Sequence, residues 1–180
     1  NNCSFKIKSN IVYEFAKNNK ITLAEFFYFA WALLLRIYLN CEDVVFGTTI
    51  SGRNIAVSGI NKAVGLFINT LPIRVKISDN SSVGEMISNI RKSLVNRQEY
   101  EIISQSKINQ ALNMERSEPM YDSIVVVENY PLDKIGNEEN IIIVKDYSIF
   151  EKTNYNVTVN ISEQKEFIKV QILYNNNIFS

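Results

Sequence analysis

The stretch that decides the fold of this chain is FGTTISGRNIAVSGINKAVGLFINTLPIR, residues 46–74. Its first residues are aromatic, β-branched or small, a composition that predicts a half-buried strand through Ile50. Turn-forming residues then break the pattern in a loop that carries Arg53. Residues 66–75 predict a second strand, in which Pro72 favours a sheet edge because proline donates no backbone hydrogen bond. An arginine between two buried strands must find a partner, reach solvent or line a cavity.

The composition of this 180-residue chain predicts one domain and excludes several functions. Nineteen Lys and Arg residues balance nineteen Asp and Glu residues, so no net charge favours nucleic acid or an anionic membrane. The sequence contains no histidine, which excludes a Ser-His-Asp triad, a Cys-His pair and a histidine general base within this chain. Two cysteines without histidine cannot complete a zinc site, and we expect Cys3 and Cys41 to be buried thiols.

Neither a targeting signal nor a membrane span is indicated by the sequence. No apolar run follows the charged residues near the N-terminus. The most apolar stretch, residues 25–36, is shorter than the roughly 20 residues that a spanning helix needs. We therefore expect a cytoplasmic protein without a membrane partner.

Hydrophobic periodicity and helix caps predict two helices, then two strands, two further helices and a final run of strands. Thr22 precedes the most apolar helical stretch, and Glu25 stands three residues later, the spacing of a capping box. An amphipathic helix is predicted after Ser81 or Ser82, with Arg97 on its solvent face. The strands predicted outside the opening stretch are residues 4–8, 123–127, 141–144, 147–150, 154–161 and 167–174. These elements predict an α/β fold, a two-layer sandwich in which helices pack on a mixed β-sheet.

Several stretches, in this order, resemble the condensation domains of nonribosomal peptide synthetases. VGLFINTLPIR (64–74) is similar to the fifth motif of that family, and DVVFGTTISGR (43–53) is similar to the segment before it. RQEY (97–100) stands at the sixth motif, where His or Asn followed by Gln-Asp-Tyr is usual. YDSIVVVENYPLD (121–133) resembles a segment ending in Glu-Asn-Tyr-Pro. EKTNYNVTV (151–159) stands at the seventh motif, with Asn156 in place of a usual proline.

The resemblance covers almost the whole chain and implies that residues 1–180 are the C-terminal subdomain of a condensation domain. The family joins two chloramphenicol-acetyltransferase-like lobes around a tunnel, in which an acceptor amine attacks a donor thioester. Both substrates are attached to the phosphopantetheine arms of carrier domains, so the lobe itself is expected to bind no cofactor. The catalytic motif HHxxxDG belongs to the N-terminal lobe and is absent here. The implied partners are that lobe, the carrier domains and an adjacent adenylation domain, and the fragment alone is expected to be inactive.

Polar side chains in the matched motifs are candidates for the tunnel wall. The candidates are Thr48, Ser51, Arg53, Asn69, Asn154 and Tyr155. Several of them also have a structural interpretation: an ion pair with Asp43, Glu128 or another carboxylate for Arg53, a strand-edge cap for Asn69, and backbone hydrogen bonds for Thr48 and Ser51.

Two other functions stay open at this level. One is a non-catalytic scaffold that docks a carrier or adenylation domain, and the other is the equivalent lobe of an epimerization domain. An intact HHxxxDG motif upstream would favour the enzyme. In each case, an isolated lobe is expected to expose an apolar surface that its companion covers.

Overall fold

The computed structural model describes residues 1–54, 57–115, 119–128, 153–164 and 166–179. The helices are α1 (Ser9–Asn19), α2 (Leu23–Leu39), α3 (Val83–Arg97) and α4 (Gln105–Ala111). The strands are β1 (Asn2–Lys8), β2 (Asp43–Ile50), β3 (Asn69–Lys76), β4 (Ser123–Glu128), β5 (Val157–Glu163) and β6 (Phe167–Tyr174). The predicted strands 141–144 and 147–150 lie outside the described residues.

The strands form one six-stranded mixed sheet in the order β1-β6-β5-β4-β2-β3. Strands β2, β4 and β5 run parallel to one another, whereas β1, β3 and β6 are antiparallel to their neighbours. Pro72 lies in β3, which ends the described sheet, as predicted from its missing donor. The second strand is shorter than predicted, because residues 66–68 belong to the preceding loop.

Helices α2 and α3 pack against the sheet and against each other. Their apolar faces meet alternate residues of β2 and β3 in a core that includes Phe46, Ile73 and Val75. The predicted α/β sandwich, with helices on a mixed sheet, is therefore confirmed. Within the described part of the chain, no single helix has the length and apolarity of a membrane span; α1 and α2 pass that test only as a pair bent by 95°.

Side-chain caps fix where the long helices begin. Thr22 and Glu25 form the predicted capping box at the start of α2, and Ser82 and Glu85 form an equivalent box at α3. The buried Glu25 carboxylate also accepts a hydrogen bond of 2.8 Å from Arg91 Nε. This contact joins α2 to α3.

The prediction that both cysteines are buried is wrong, because Cys3 and Cys41 are exposed. Cys3 lies on β1, an outer strand of the described sheet with little covering it. Cys41 follows the end of α2, where its Sγ donates a hydrogen bond of 3.3 Å to the carbonyl oxygen of Asp43. Both positions belong to the rim of the fold and not to its core.

Candidate functional site

The candidate residues fall at two ends of the sheet. Ser51 and Arg53 follow the C-terminal end of β2, and Asn69 pairs with Ile50 at the same end. Asn154 and Tyr155 precede the N-terminal end of β5. Because β2, β4 and β5 are parallel, these two groups lie at opposite ends of the strands. We call them the loop end and the cleft end.

Asn69 ties the loop end to the segment between α3 and α4. Its Nδ2 donates hydrogen bonds of 2.9 Å and 2.8 Å to the carbonyl oxygens of Glu101 and Ile103. Its Oδ1 accepts a hydrogen bond of 2.9 Å from the backbone amide of Thr70. Both groups of the amide are engaged with backbone, which agrees with the alternative interpretation of Asn69 as a cap.

Arg53 braces its own loop instead of forming an ion pair. Its Nη1 donates to the carbonyl oxygens of Ile60 and Ala63, the latter at 3.1 Å. The guanidinium carbon lies 4.5 Å from the ring centroid of Phe67, a cation–π distance. Among the described residues it forms no salt bridge, and Asp43 pairs with Arg74 at 2.6 Å instead. Within the described part of the chain the ion-pair interpretation of Arg53 is therefore wrong, because backbone carbonyls of the loop provide the acceptors.

Thr48 is completely buried in β2 and faces α3, so solvent does not reach its hydroxyl. The hydroxyl donates to the carbonyl oxygen of Leu71 at 3.5 Å and accepts from Arg97 Nη1. Ser51, in contrast, is exposed, and its Oγ accepts from the backbone amide of Arg53 at 3.4 Å. Both hydroxyls make the backbone hydrogen bonds that the alternative interpretation predicted.

Arg97 is a residue that sequence analysis misplaced. It ends α3, but its side chain turns inward toward Thr48, and burial lowers its pKa, opposed by the nearby Tyr28, Glu101 and Tyr121. Its Nε is buried without a hydrogen-bond partner among the described residues. The sequence contained one signal of this burial: Arg97 stands where the sixth motif of the family usually has His or Asn.

At the cleft end, two tyrosines stack beside the sheet. The rings of Tyr121 and Tyr155 lie 5.5 Å apart at 16°, and the Tyr121 hydroxyl donates to Gln105 Oε1 at 3.1 Å. A Cβ added at Gly47 would overlap the Tyr121 ring, so glycine is required for this close approach. Burial, followed by the interaction with Tyr155, raises the pKa of Tyr121 well above its ordinary value.

Asn154 is exposed beside an open cleft of about 680 Å³. The cleft is lined mainly by amide and tyrosine side chains, namely Asn1, Asn2, Asn154, Tyr155, Asn156, Tyr174, Asn175, Asn176 and Asn177, together with Thr153 and Leu173. Neutral amides can donate and accept hydrogen bonds, but they do not transfer protons near neutral pH. The described lining of the cleft is therefore suited to hydrogen bonding.

The described residues hold no group of three or more His, Cys, Asp or Glu side chains that could bind a metal ion. The chain as a whole has no histidine. At the loop end, hydrogen bonds to backbone carbonyl oxygens hold Asn69 and Arg53 in place. At the cleft end, ring stacking holds Tyr121 against Tyr155.

Solved structures share this fold at low sequence identity. A four-domain nonribosomal peptide synthetase bound to AMP and glycine superposes with a TM-score of 0.85 and 18% identity, over 100% of this chain and 15% of that one. The first condensation domain of the calcium-dependent antibiotic synthetase, in complex with a substrate analogue, gives 0.79 and 13%, over 100% of this chain and 40% of that one. At these identities the likeness concerns the fold.

Other relatives have a higher sequence identity to this chain than these solved structures do. A linear gramicidin synthase protein of Brevibacillus parabrevis is 37% identical over 167 residues, 92% of this chain and 2% of that protein. Gramicidin S synthase 2 of Brevibacillus brevis is 32% identical over 179 residues, 97% of this chain and 4% of that protein. The chain thus spans only a few per cent of these relatives' length. The sequence model of the condensation-domain family matches residues 3–180 of this chain. The chain therefore belongs to the condensation-domain family.

Proposed function

We propose that this chain supplies the C-terminal part of a condensation domain that forms amide bonds in a nonribosomal peptide synthetase. The observation that carries the proposal is the family match over residues 3–180, supported by synthetase relatives at 30% identity or more. In the reaction, a carrier-bound acceptor amine attacks the carbonyl carbon of a carrier-bound acyl thioester. The C–N bond forms, the C–S bond breaks, and the amine loses a proton as the thiol leaves.

The chain contributes shape to this reaction and leaves proton handling to the rest of the domain. Without histidine it has no side chain whose ordinary pKa lies near neutrality. Holding two reactants together can supply about 7–11 kcal/mol of a barrier, so a positioning wall is a substantial catalytic contribution. A dry wall also protects the thioester from hydrolysis.

We assign the candidate side chains to two roles within this wall. Ser51, Asn154 and Tyr155 are exposed or half-buried, so they are available to line the substrate tunnel. Thr48, Arg53 and Asn69 are engaged with Arg97 or with backbone carbonyls, so they set the shape of the wall. The second role explains why polar residues stand in this motif without direct contact with substrate.

The partners follow from the same proposal. The N-terminal lobe of the domain would bring the histidine motif that this chain lacks. Carrier domains would deliver both substrates on phosphopantetheine, so the chain itself binds no cofactor. An adenylation domain would lie beside it in the synthetase, and the reaction would take place in the cytoplasm.

A condensation assay with two loaded carrier domains tests the proposal. The chain alone is expected to give no amide above the uncatalysed rate. The complete condensation domain, with the upstream part restored, is expected to form amide at a rate that falls to background when the upstream histidines are replaced by alanine. Full activity of the chain alone would refute the assignment of roles, and inversion of an aminoacyl carrier substrate by the complete domain would indicate an epimerization domain.

A further inference from the structure

Strand β1 forms one outer edge of the described sheet and is largely open to solvent. Among the described strands it pairs with β6 alone, and six of its seven residues are exposed. Phe5, at the middle of the strand, is 51% exposed. Because an open edge presents unpaired backbone groups, it is a template on which another strand can add.

The hydrogen bonds between β1 and β6 show which backbone groups of β1 face the open edge. Before β1, the amide of Tyr174 donates to the carbonyl oxygen of Asn1 at 3.0 Å, and after β1 the amide of Ser9 donates to the carbonyl oxygen of Glu166 at 3.0 Å. Hydrogen-bonded and non-hydrogen-bonded pairs alternate along antiparallel strands. The odd-numbered residues of β1 therefore bond to β6, and the even-numbered residues point their N–H and C=O groups away from the sheet. These even-numbered residues are Asn2, Ser4, Lys6 and Lys8.

The side chains of β1 leave this edge accessible. Phe5 stands opposite the buried Val170, on the face of the sheet that carries the helices. Lys6 points to the other face, and its Nζ lies 5.9 Å from the centroid of the Phe167 ring on β6. Lysines on an edge strand ordinarily discourage pairing, but this ammonium is drawn back over the neighbouring strand.

One antiparallel register of β1 with a second copy of itself fits both the backbone and the side chains. A two-fold axis at Phe5 places Phe5 opposite Phe5 of the second copy in a non-hydrogen-bonded pair, where side chains lie closest. Each Lys6 then faces Ser4 of the second copy in a hydrogen-bonded pair, so no lysine stands directly opposite another. The full set of pairs is Asn2 with Lys8, Cys3 with Ile7, Ser4 with Lys6, and Phe5 with Phe5.

We propose that β1 is a dimerisation edge, to which a second copy of this chain adds its own β1 in antiparallel orientation, centred on Phe5. The contact is isologous and joins two sheets into one. Backbone hydrogen bonds would supply most of the affinity, and the pair of Phe5 rings would fix the register. A contact this narrow buries little surface, so we expect a dimer of micromolar or weaker affinity. The proposal does not depend on the proposed function, because it rests on the register of β1.

Sedimentation velocity of the chain over a concentration series, up to about 1 mM, tests the proposal. Ser4→Pro removes an N–H that points to the open edge and leaves the bonds to β6 in place, a position where proline is tolerated. It is expected to weaken the dimer at least about 10-fold, the equivalent of about 1.4 kcal/mol. Ser4→Ala is the matched control: it keeps the N–H and should leave the affinity within about 2-fold. Circular dichroism will verify that both variants fold.

Disulfide trapping tests the register itself, in a background of Cys3→Ser and Cys41→Ser. Phe5→Cys should form a disulfide-linked dimer in a glutathione buffer, because the Cα atoms of a non-hydrogen-bonded pair lie about 4.5 Å apart. Ser4→Cys is the control, since its counterpart in the second copy lies diagonally across the pair, beyond the roughly 7 Å that a disulfide can span. Electrophoresis without reductant measures the linked fraction, and Ser4→Cys should remain a monomer.

Each alternative outcome overturns the inference in its own way. A chain that stays monomeric at every concentration has no dimerisation edge, and a dimer that Ser4→Pro leaves intact is held by another surface. Equal trapping of Phe5→Cys and Ser4→Cys would contradict the register. If the complete condensation domain is monomeric at concentrations where the chain dimerises through β1, the upstream part covers this edge and a second copy is not its occupant. None of these measurements involves amide formation, so their failure is distinct from failure of the proposed function.

Discussion

The two ends of the sheet use polar side chains in different ways. At the loop end, Asn69 and Arg53 donate to backbone carbonyl oxygens. At the cleft end, side chains meet other side chains: Tyr121 stacks on Tyr155 and donates to Gln105, and Asn156 donates to Asp122 at 3.0 Å. The loop end is closed by these bonds, whereas the cleft end borders an open cavity.

This difference shows why residue type alone does not reveal a role. Asn69 and Asn154 both stand in stretches that match family motifs, and both are asparagines. Asn69 satisfies two carbonyl groups at a partly buried position, where an unmade bond is costly, whereas Asn154 is exposed to solvent. The first should matter for stability, and the second should matter for binding.

The largest expected difference is between Asn69→Ala and Asn154→Ala. Asn69→Ala removes both hydrogen bonds to Glu101 and Ile103 and should lower the free energy of unfolding by about 2–3 kcal/mol, at roughly 1–1.5 kcal/mol for each bond. Asn154→Ala should change it by less than about 0.5 kcal/mol, as surface substitutions usually do. Urea unfolding of the two variants provides the measurement. Equal losses would show that the two ends are not distinguished by their hydrogen bonds.

The next effect concerns the packing of glycine against an aromatic ring. Gly47→Ala should lower the free energy of unfolding by about 2 kcal/mol, because the new methyl group would overlap the Tyr121 ring and Ile124. Gly84→Ala is the control: no atom lies within 4 Å of a Cβ there, and alanine in a helix should stabilise by about 0.5 kcal/mol. Thermal unfolding compares the pair. A neutral Gly47→Ala would mean that Tyr121 can leave Tyr155 at little cost.

The features that could be predicted from sequence are those fixed by local chemistry. The capping box of Thr22 and Glu25 is confirmed because its partners are three residues apart. Strand β6 begins and ends where its alternating pattern does, at Phe167 and Tyr174. Pro72 lies in the outer strand of the described sheet, because a residue without an N–H cannot donate to a further neighbouring strand.

The features that could not be predicted depend on residues far apart in sequence. Arg97 follows the polar spacing of an exposed helix face, and its burial arises only when β2 brings Thr48, 49 residues away, within reach. Asn69 finds its carbonyl partners 32 and 34 residues along the chain. A carboxylate partner was one interpretation of Arg53, but its described acceptors are the carbonyl oxygens of Ile60 and Ala63, which approach only when the loop folds back on itself.

A smaller effect is expected when the contacts of Arg53 with the loop between β2 and β3, described over residues 57–68, are removed. Arg53→Gln loses the cation–π contact with Phe67 and should lower the free energy of unfolding by about 1 kcal/mol. Its clearer result is local: amide hydrogens of residues 57–68 should exchange faster while those of β2 do not. Arg74→Gln, which removes an exposed ion pair with Asp43 on the neighbouring strand, is the control and should leave the loop unchanged. Equal exchange in both variants would show that the loop is held by something other than Arg53.

The smallest effect is a pH dependence that belongs to the cleft end. Burial and Tyr155 raise the pKa of Tyr121, so the folded state keeps a proton that the unfolded state releases near pH 10. The stabilisation is therefore complete below about pH 10 and is lost as the pH rises toward the pKa of the folded state. Tyr121→Phe should make the free energy of unfolding fall less steeply above pH 10, whereas Tyr38→Phe, an exposed phenol, should follow the wild type. Burial and Glu163 raise the pKa of Tyr13 to about 12. Tyr13 is present in every variant, so its contribution to the pH dependence cancels when the variants are compared. If Tyr121→Phe and the wild type lose stability in parallel above pH 10, water reaches the stacked rings of Tyr121 and Tyr155. The cleft end would then be open to solvent even at these two side chains, in contrast to the closed loop end.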